Sequence, residues 1–353
     1  MMMAAGTGGH VFPALAVAKE LQQQGVQVSW LATPTGMENR LLKNHNIPIY
    51  QIDIQGVRGN GVVRKLLAPL KILKATLSAM RYMKQLKIDA VVGFGGYVAG
   101  PGGLAARALG IPVIIHEQNA IAGFTNTQLS RIAKTVCQAF PGTFAENAKI
   151  VTTGNPVRKE ITEILNPSWR YQEREKAAKP LQILIVGGSL GAQALNERVP
   201  EALKQLDVPM QVFHQCGQNH QDATQARYSD TPATLQVEVR PFIEDMAKAY
   251  SNADLIICRA GALTVTEIAT AGVAAVFVPL PSAVDDHQTA NAKFLAGINA
   301  AKICPQASMT ADRLKELLTP LMNRKLLSEM AVKARQKAQP DATQHVVRLI
   351  QEL

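Results

Sequence analysis

The sequence predicts an α/β protein built from two doubly wound parallel-sheet domains. Three observations carry that prediction. Short apolar runs alternate with helix-length amphipathic stretches along the chain, the βαβ rhythm of a parallel sheet. The rhythm lapses once, after Val157, in a polar stretch containing Pro167, Trp169 and Pro180, and then restarts. At 353 residues the chain is also too long for one ordinary doubly wound unit. The expected division is a first domain over 1–160, a linker over 161–180 and a second domain over 181–340. A final helical pattern over 341–353 is placed to cross back to the first domain.

In order along the first half, strands are expected in VQVSWLA (core 27–32), PIYQI, DAVVGF and PVIIHEQ, each followed by a turn and a helical pattern. The second half repeats the scheme with LQILIVGGS, LIICRAG and AAVFVPL. Each half opens with a strand, a Gly-rich turn and a helix, which is the visible internal repeat. Composition agrees with a packed protein: 47% hydrophobic, 18% charged and no low-complexity tract. No apolar run approaches the ~18–20 residues a spanning helix needs, and the Gly-rich motif begins by Gly6, which leaves no room for a secretory signal. Cys137, Cys216, Cys258 and Cys304 are widely spaced with no C-x-x-C pair, pointing to a reducing compartment and away from zinc or disulfides.

The net charge of +10 lies in the first half, where residues 1–160 hold 17 Lys/Arg against 7 Asp/Glu. That asymmetry calls for an anionic partner: nucleic acid, anionic lipid or a phosphorylated substrate.

Three Gly-rich turns fall where a strand ends and a helix begins: AAGTGGH (4–10), GFGGYVAGPGG (93–103) and VGGSLGA (186–192). Glycine permits close backbone approach, and a helix N-terminus offers free N–H groups with partial positive charge, so phosphate is the natural guest. A doubly wound sheet needs tight βα turns in any case, and any single turn is read equally well that way. A nicotinamide fingerprint fits poorly: after Gly6 and Gly8 its third glycine falls on Val11, and no acid for a ribose follows until Glu38. No P-loop pattern occurs. His10 opens the first helix and titrates in the range of a general base, or else contacts backbone or phosphate there. His116, in an apolar run, reads as a core histidine.

In the second half, CRAGALTVTEIATAG (258–272) places Thr264 and Thr266 at a helix start and Glu267 just beyond. A carboxylate there can accept two hydrogen bonds from a ribose diol, or it can simply complement the helix dipole. Gln288, at the start of another helix in DDHQTANA (285–292), suits sugar hydroxyls. The Asp285–Asp286 pair reads as a helix N-cap, so no metal and no cofactor are expected.

The ordered set AGTGGHVFPALAVA, GFGGYVAGPGG, HEQNAIAG, TGNPVR, VGGSLGAQ and CRAGALTVTEIATAG…DDHQTANA spans the chain and closely resembles the MurG family of peptidoglycan N-acetylglucosaminyltransferases, in glycosyltransferase family 28. The resemblance implies the GT-B architecture, two Rossmann-like domains facing across a cleft. It also implies transfer of N-acetylglucosamine from UDP-N-acetylglucosamine to the muramyl 4-hydroxyl of lipid I (undecaprenyl-diphospho-muramoyl peptide), with inversion, giving lipid II. Carried over, backbone at Ile243 would read the uracil and Glu267 would hold the ribose. Ser189, Leu263 and Thr264 would meet the diphosphate, with Val265 and Thr266 in the same segment. Ala262 and Gln288 would contact the sugar. Thr7, Gly8, Gly9, Asn119 and Arg158 would reach the donor from the first domain, and Gly95, Gly96 and Tyr97 would serve the acceptor. His10 would be the base, with Glu117 the next carboxylate to consider. Ala5 stands where the family usually has glycine and Leu190 where it usually has glutamine, and only five residues precede Gly6.

Between Asp53 and Asp89 there is no acid but eight bases: Arg58, Arg64, Lys65, Lys71, Lys74, Arg81, Lys84 and Lys87. Leu66, Leu67, Leu70, Leu73, Leu77 and Met80 interleave with them, at helical spacing from Leu70. This stripe fits docking on anionic phospholipid, each surface cation contributing ~1 kcal/mol; a core-facing stripe with a basic rim is the alternative. RNA binding fits less well, because Tyr82 is the one interleaved aromatic, and no nucleic-acid partner is expected. The implied location is the cytoplasmic face of the bacterial inner membrane, peripherally held, with other cell-wall or division proteins as further partners. The rival functions are a UDP-N-acetylglucosamine 2-epimerase, which needs no acceptor, and a non-catalytic lipid- or nucleic-acid-binding protein.

Overall fold

The computed structural model describes residues 1–54, 62–188, 190–281, 283 and 286–353, without the side chains of 62–67. The chain divides into two units, Met1–Arg158 with Gln339–Leu353, and Lys159–Ala338.

The first unit runs β1 (Met2–Ala4), α1 (Gly8–Gln23), β2 (Trp30–Ala32), α2 (Glu38–Leu41), β3 (Ile49–Gln51), α3 (Val62–Gln85), β4 (Val91–Gly95), α4 (Ala99–Ala108), β5 (Val113–Glu117), α5 (Phe124–Leu129), β6 (Thr135–Gln138) and β7 (Ile150–Thr152). Its parallel sheet has the order β3-β2-β1-β4-β5-β6-β7. The strands β4 and β5 are buried along their whole length, as apolar runs covered by helices on both faces must be. The segment VQVSWLA contributes only its last three residues to the sheet. It pairs with β1 through Met2↔Trp30 and Met3↔Leu31 and with β3 through Trp30↔Ile49, Leu31↔Tyr50 and Ala32↔Gln51, and both neighbours are three residues long. Strands β6 and β7 are short and mixed in character, and were not among the expected elements.

The second unit continues with α6 (Lys159–Thr162), α7 (Pro167–Lys176), β8 (Leu181–Val186), α8 (Gln193–Leu203), β9 (Met210–Gln215), α9 (Gln221–Ala226), β10 (Leu235–Arg240), α10 (Met246–Asn252), β11 (Leu255–Cys258), α11 (Ala262–Ala271), β12 (Ala274–Phe277), α12 (His287–Ala296), β13 (Ala301–Ile303), α13 (Ala311–Leu318) and α14 (Arg324–Gln336). Its sheet order is β10-β9-β8-β11-β12-β13. In both units the order reverses beside the first strand, between β1 and β4 and between β8 and β11. Such a reversal sends neighbouring connections to opposite faces and opens a crevice at the carboxyl ends of the two strands. The last helix, α15 (Ala342–Gln351), packs on α1 of the first unit, burying Val346 and Val347 in its core.

The stretch expected as a linker, 161–180, is instead part of the second unit. Within it α7 buries Arg170 and Tyr171 despite its polar composition. The Arg170 guanidinium donates to the carbonyls of Ala271 and Gly272 at the end of α11 (2.6 and 2.7 Å) and to those of Tyr250 and Ser251 in α10 (3.4 and 3.0 Å), while its Nε donates to Leu165 (3.0 Å). A cation among carbonyls at helix ends is placed where the helix dipoles favour it. The Tyr171 hydroxyl donates to the Asp254 carbonyl at 2.5 Å. Composition marks this segment as polar, and the polar groups are its packing contacts.

Candidate functional site

In the first unit the turns after β1 and β4 lie against each other at the strand-order reversal. Gly96 has φ +80°, and a Cβ there would run into the Ala5 carbonyl oxygen. Gly95 has φ +102°, and a Cβ there would lie 2.8 Å from His10 Cδ2 and 2.9 Å from Nε2. The His10 imidazole therefore rests over the bare backbone of the second turn, with Nδ1 3.2 Å from the Thr7 hydroxyl. Thr7 is the N-cap residue of α1, and Gly8 and Gly9 form its first residues, so His10 stands in the first turn of the helix. Tyr97 projects from the same β4 turn and is exposed. The structure thus gathers Thr7, Gly8, Gly9, His10, Gly95, Gly96 and Tyr97 at one sheet edge.

Two acids near this edge are structural. Glu38 is fully buried, accepting from the Thr33 N–H (2.9 Å) and hydroxyl (2.8 Å) and from the Gly6 N–H (3.3 Å). It holds the first Gly-rich turn from beneath and is not presented to a ribose. Glu117 is also buried, and it takes four N–H donors: the Asn119 backbone and side chain on Oε1 (3.0 and 3.1 Å), and Gly123 N–H and Asn126 Nδ2 on Oε2 (3.0 and 2.9 Å). With its lone pairs engaged it cannot stand in as a general base, which corrects that expectation. Its work is to shape the loop that carries Asn119.

His116 is a core histidine. Its Nε2 must donate to the Gly154 carbonyl (2.8 Å), so Nδ1 accepts from Gln118 Nε2 (3.2 Å), and the ring stacks on Phe94. Burial pushes its pKa down to about 4. Arg158 is half-buried at the end of the first unit.

In the second unit, α11 starts at Ala262 after the extended N-cap Gly261, so its first N–H groups, including those of Leu263 and Thr264, have no intrahelical acceptor. Leu263 and Thr264 are half-buried, and Ala262 is buried. Glu267 is buried one and a half turns in, and its Oε2 accepts the Tyr250 hydroxyl at 3.0 Å. Gln288 sits near the start of α12; its Oε1 accepts the N–H groups of Ala260 (3.2 Å) and Leu280 (2.9 Å). That fixes the amide orientation and leaves Nε2 as the group a ligand can meet. Ile243 is buried. Two expected donor contacts are not presented. Val265 is buried in the core, and the Thr266 hydroxyl turns back on the Ala262 and Leu263 carbonyls (3.1 and 2.9 Å), because on a helix packed against the sheet these positions face inward. Ser189 and Asp285 lie outside the described residues. Asp286 occupies the N-cap of α12 at φ 51°, but its carboxylate accepts the Thr289 hydroxyl (2.7 Å) rather than a backbone N–H. Leu190 is 87% exposed. Among the described residues no group of three or more His, Cys, Asp or Glu is placed to hold a metal.

The α3 stripe divides: Met80 packs on the core, and Leu70, Leu73 and Leu77 do not. Ala68, Ala75, Ala79 and Met83 are the buried side of the helix, while Leu70, Leu73 and Leu77 are 65%, 56% and 57% exposed and share the outer side with Lys71, Lys74 and Arg81. The side chains of Lys65, Leu66 and Leu67, and all of Arg58, lie outside the described residues. No helix among the described residues is long and apolar enough to cross a membrane.

Residues 1–138 match the model of the glycosyltransferase family 28 N-terminal domain, and 182–346 that of its C-terminal domain. The chain belongs to glycosyltransferase family 28. It is 80% identical over 353 residues to the UDP-N-acetylglucosamine--N-acetylmuramyl-(pentapeptide) pyrophosphoryl-undecaprenol N-acetylglucosamine transferase of Acinetobacter baumannii strain AYE, covering 100% of this chain and 97% of that one. It is 52% identical to the transferase of the same name from Psychrobacter cryohalolentis, over 99% and 97% of the two chains. A crystal structure of Acinetobacter baumannii MurG matches with a TM-score of 0.89 and 77% identity, covering 100% of this chain and 99% of that one.

For a family 28 enzyme, the residues that sequence reasoning missed are those that hold the expected ones. Tyr250 lies 17 positions before Glu267, and no spacing rule connects them. Likewise His214 in β9 is buried between the Tyr228 hydroxyl (2.9 Å from Nδ1) and Asn196 Oδ1 (3.1 Å from Nε2), and Asn196 Nδ2 donates to the Cys216 carbonyl (2.9 Å). Burial pushes the His214 pKa down to about 3. Both His116 and His214 are thus held neutral in the fold at a pH where the unfolded chain takes up protons. Their contribution to stability is complete above pH ~6.5 and is lost as pH falls toward 4, at on the order of 1.4 kcal/mol per pH unit for each. Urea unfolding followed from pH 7.5 to pH 5 should show that loss, and His214→Gln should flatten the slope; an unchanged slope would refute the assignment.

Proposed function

We propose that this chain transfers N-acetylglucosamine from UDP-N-acetylglucosamine to the 4-hydroxyl of the muramyl sugar of lipid I, giving lipid II. The observation that carries the proposal is the arrangement at the carboxyl end of β11: a helix N-terminus with open N–H groups, a buried carboxylate oriented by Tyr250 and an amide oriented by two backbone N–H groups, in a chain 80% identical to a transferase named for this reaction.

In this reading the Ile243 backbone reads the uracil. Glu267, whose Oε2 accepts the Tyr250 hydroxyl, holds the ribose diol. The N-terminus of α11, with Leu263, Thr264 and Ser189, receives the diphosphate. Gln288 donates to a sugar hydroxyl oxygen through Nε2, beside Ala262. Thr7, Gly8, Gly9, Asn119 and Arg158 are the proposed donor contacts of the first unit, and Gly95, Gly96 and Tyr97 those of the acceptor. His10 is the base that takes the acceptor O4–H proton, its ring placed with Nδ1 3.2 Å from the Thr7 hydroxyl. As O4 bonds to the anomeric carbon from the face opposite the leaving group, the C1–O bond breaks and its electron pair leaves with UDP. The growing charge meets the positive end of α11, so the mechanism proposed needs no metal and no cofactor.

The outer face of α3 is proposed to dock on anionic phospholipid at the cytoplasmic face of the inner membrane, because three exposed leucines beside cations otherwise stand in water. Other cell-wall or division proteins remain proposed partners, and no nucleic acid is proposed.

Three outcomes are expected. UDP release from UDP-N-acetylglucosamine should require a lipid I analogue and persist in excess EDTA; donor turnover without acceptor would point to an epimerase, and rescue by Mg²⁺ to a metal mechanism. His10→Gln should lower kcat by ~10²–10⁴-fold with donor KM little changed, whereas Glu267→Ala should mainly raise donor KM, by the equivalent of ~2–4 kcal/mol; near-normal turnover in His10→Gln would remove it as the base. Reversing Lys71, Lys74 and Arg81 to Glu should weaken co-sedimentation with anionic vesicles while sparing activity on a short-chain soluble acceptor, and equal loss of both would make this face part of the acceptor site.

A further inference from the structure

Gln215 is the last residue of β9, the strand between β8 and β10. It is buried, and its Nε2 donates both to the Gly188 carbonyl in the turn after β8 and to the Pro241 carbonyl in the turn after β10, each at 3.0 Å. Carbonyls only accept, so the nitrogen must lie on this side, and Oε1 points the other way, buried and without a hydrogen-bond partner among the described residues. Native chains rarely leave a buried acceptor unmet, and here the orphan goes with a doubly used NH₂. A neutral amide at this position brings two donors to two carbonyls without burying a charge. A carboxylate would face them with like partial charge, and an apolar side chain would leave both unpaired.

The backbone repeats the linkage. Gly187 N–H donates to the Gln215 carbonyl (3.3 Å), Cys216 N–H to Arg240 (3.0 Å) and Gly217 N–H to Pro241 (3.1 Å). Gly191 and Gly217 adopt φ +78° and +95° and pack backbone on backbone, with a Cβ at Gly191 running into the Cys216 carbonyl oxygen. Three turns at the carboxyl edge are thus stacked, and Gln215 is the one side chain of the stack that bonds to both outer turns among the described residues.

We infer that Gln215 is a positioning residue that makes the Gly187–Gly188 segment and the Pro241–Ile243 turn move as one body. The inference rests on the proposed roles of these turns, diphosphate at the first and uracil at the second. It adds that neither half of the nucleotide is read independently: seating uracil at Ile243 sets the Gly188 turn for the diphosphate, and the reverse. Gln215 touches no ligand, since its polar atoms are turned into the protein.

Two measurements test this. In Gln215→Met, which keeps length and loses both donors, donor KM should rise by ~10-fold or more with kcat changed much less, and the preference for UDP over CDP and dTDP as competitive inhibitors should shrink. A purely structural role would lower thermal stability and leave base preference unchanged, which would overturn the inference. The second uses the unmodified chain. Uridine alone should slow amide hydrogen exchange in 187–192 as well as in 241–245, and inorganic pyrophosphate alone should slow both as well. Protection confined to the turn each ligand occupies would overturn the coupling, even if Gln215→Met failed to fold. Absence of any binding by UDP itself would instead sink the proposed function, and this inference with it.

Discussion

In both units, backbone has to lie on backbone where the turns after two neighbouring strands meet, with no side chain between. Gly96 lies on the Ala5 carbonyl in the first unit, and Gly191 on Cys216 in the second. A single Cβ at either place would push two βα turns apart, and the helices that follow would lose their aim. The position of His10 over Gly95 and the stacked turns around Gln215 both depend on this close approach. Doubly wound sheets bring the two turns together, and glycine lets them touch.

Once the turns are set, the number of lone pairs left over decides what each polar side chain can do. Glu38, Glu117 and Glu267 are the same kind of group, and all three are buried. Glu38 is used up by a turn it supports and Glu117 by four N–H donors. At Glu267, Tyr250 engages Oε2 and so helps to orient the carboxylate. Gln288 shows the same principle from the acceptor side, since two backbone N–H groups on Oε1 make it a donor to whatever lies beyond. Asymmetric use of a side chain gives it direction, and direction is what a binding group needs.

The same accounting explains two surfaces that composition describes poorly. The mostly exposed α7 turns Arg170 and Tyr171 inward because they find carbonyls at Tyr250, Asp254, Ala271 and Gly272. The apolar segment of α3 is exterior because small residues, Ala68, Ala75 and Ala79, form the side that packs, and the leucines are left outside. In each case the helix turned by what fits the neighbouring surface, with close packing outweighing the average polarity of its residues.

Local rules were enough for part of this. Periodicity and Gly-rich punctuation determined the two parallel-sheet units, the places of the Gly-rich turns and the presence of His10 and Gln288 at helix starts, because period and turn chemistry are properties of a few adjacent residues. Strand lengths were not legible: VQVSWLA has seven good strand residues, but its neighbours β1 and β3 are three residues each. Nor was it legible which acids the fold's own hydrogen bonds consume, or that Val265 and Thr266 retreat into the helix packing. Tyr250 and Glu267 are 17 residues apart, and Gln215 reaches 27 residues back to Gly188 and 26 forward to Pro241. Those pairings exist only after distant strands have taken their order in the sheet, and only tertiary structure could decide them.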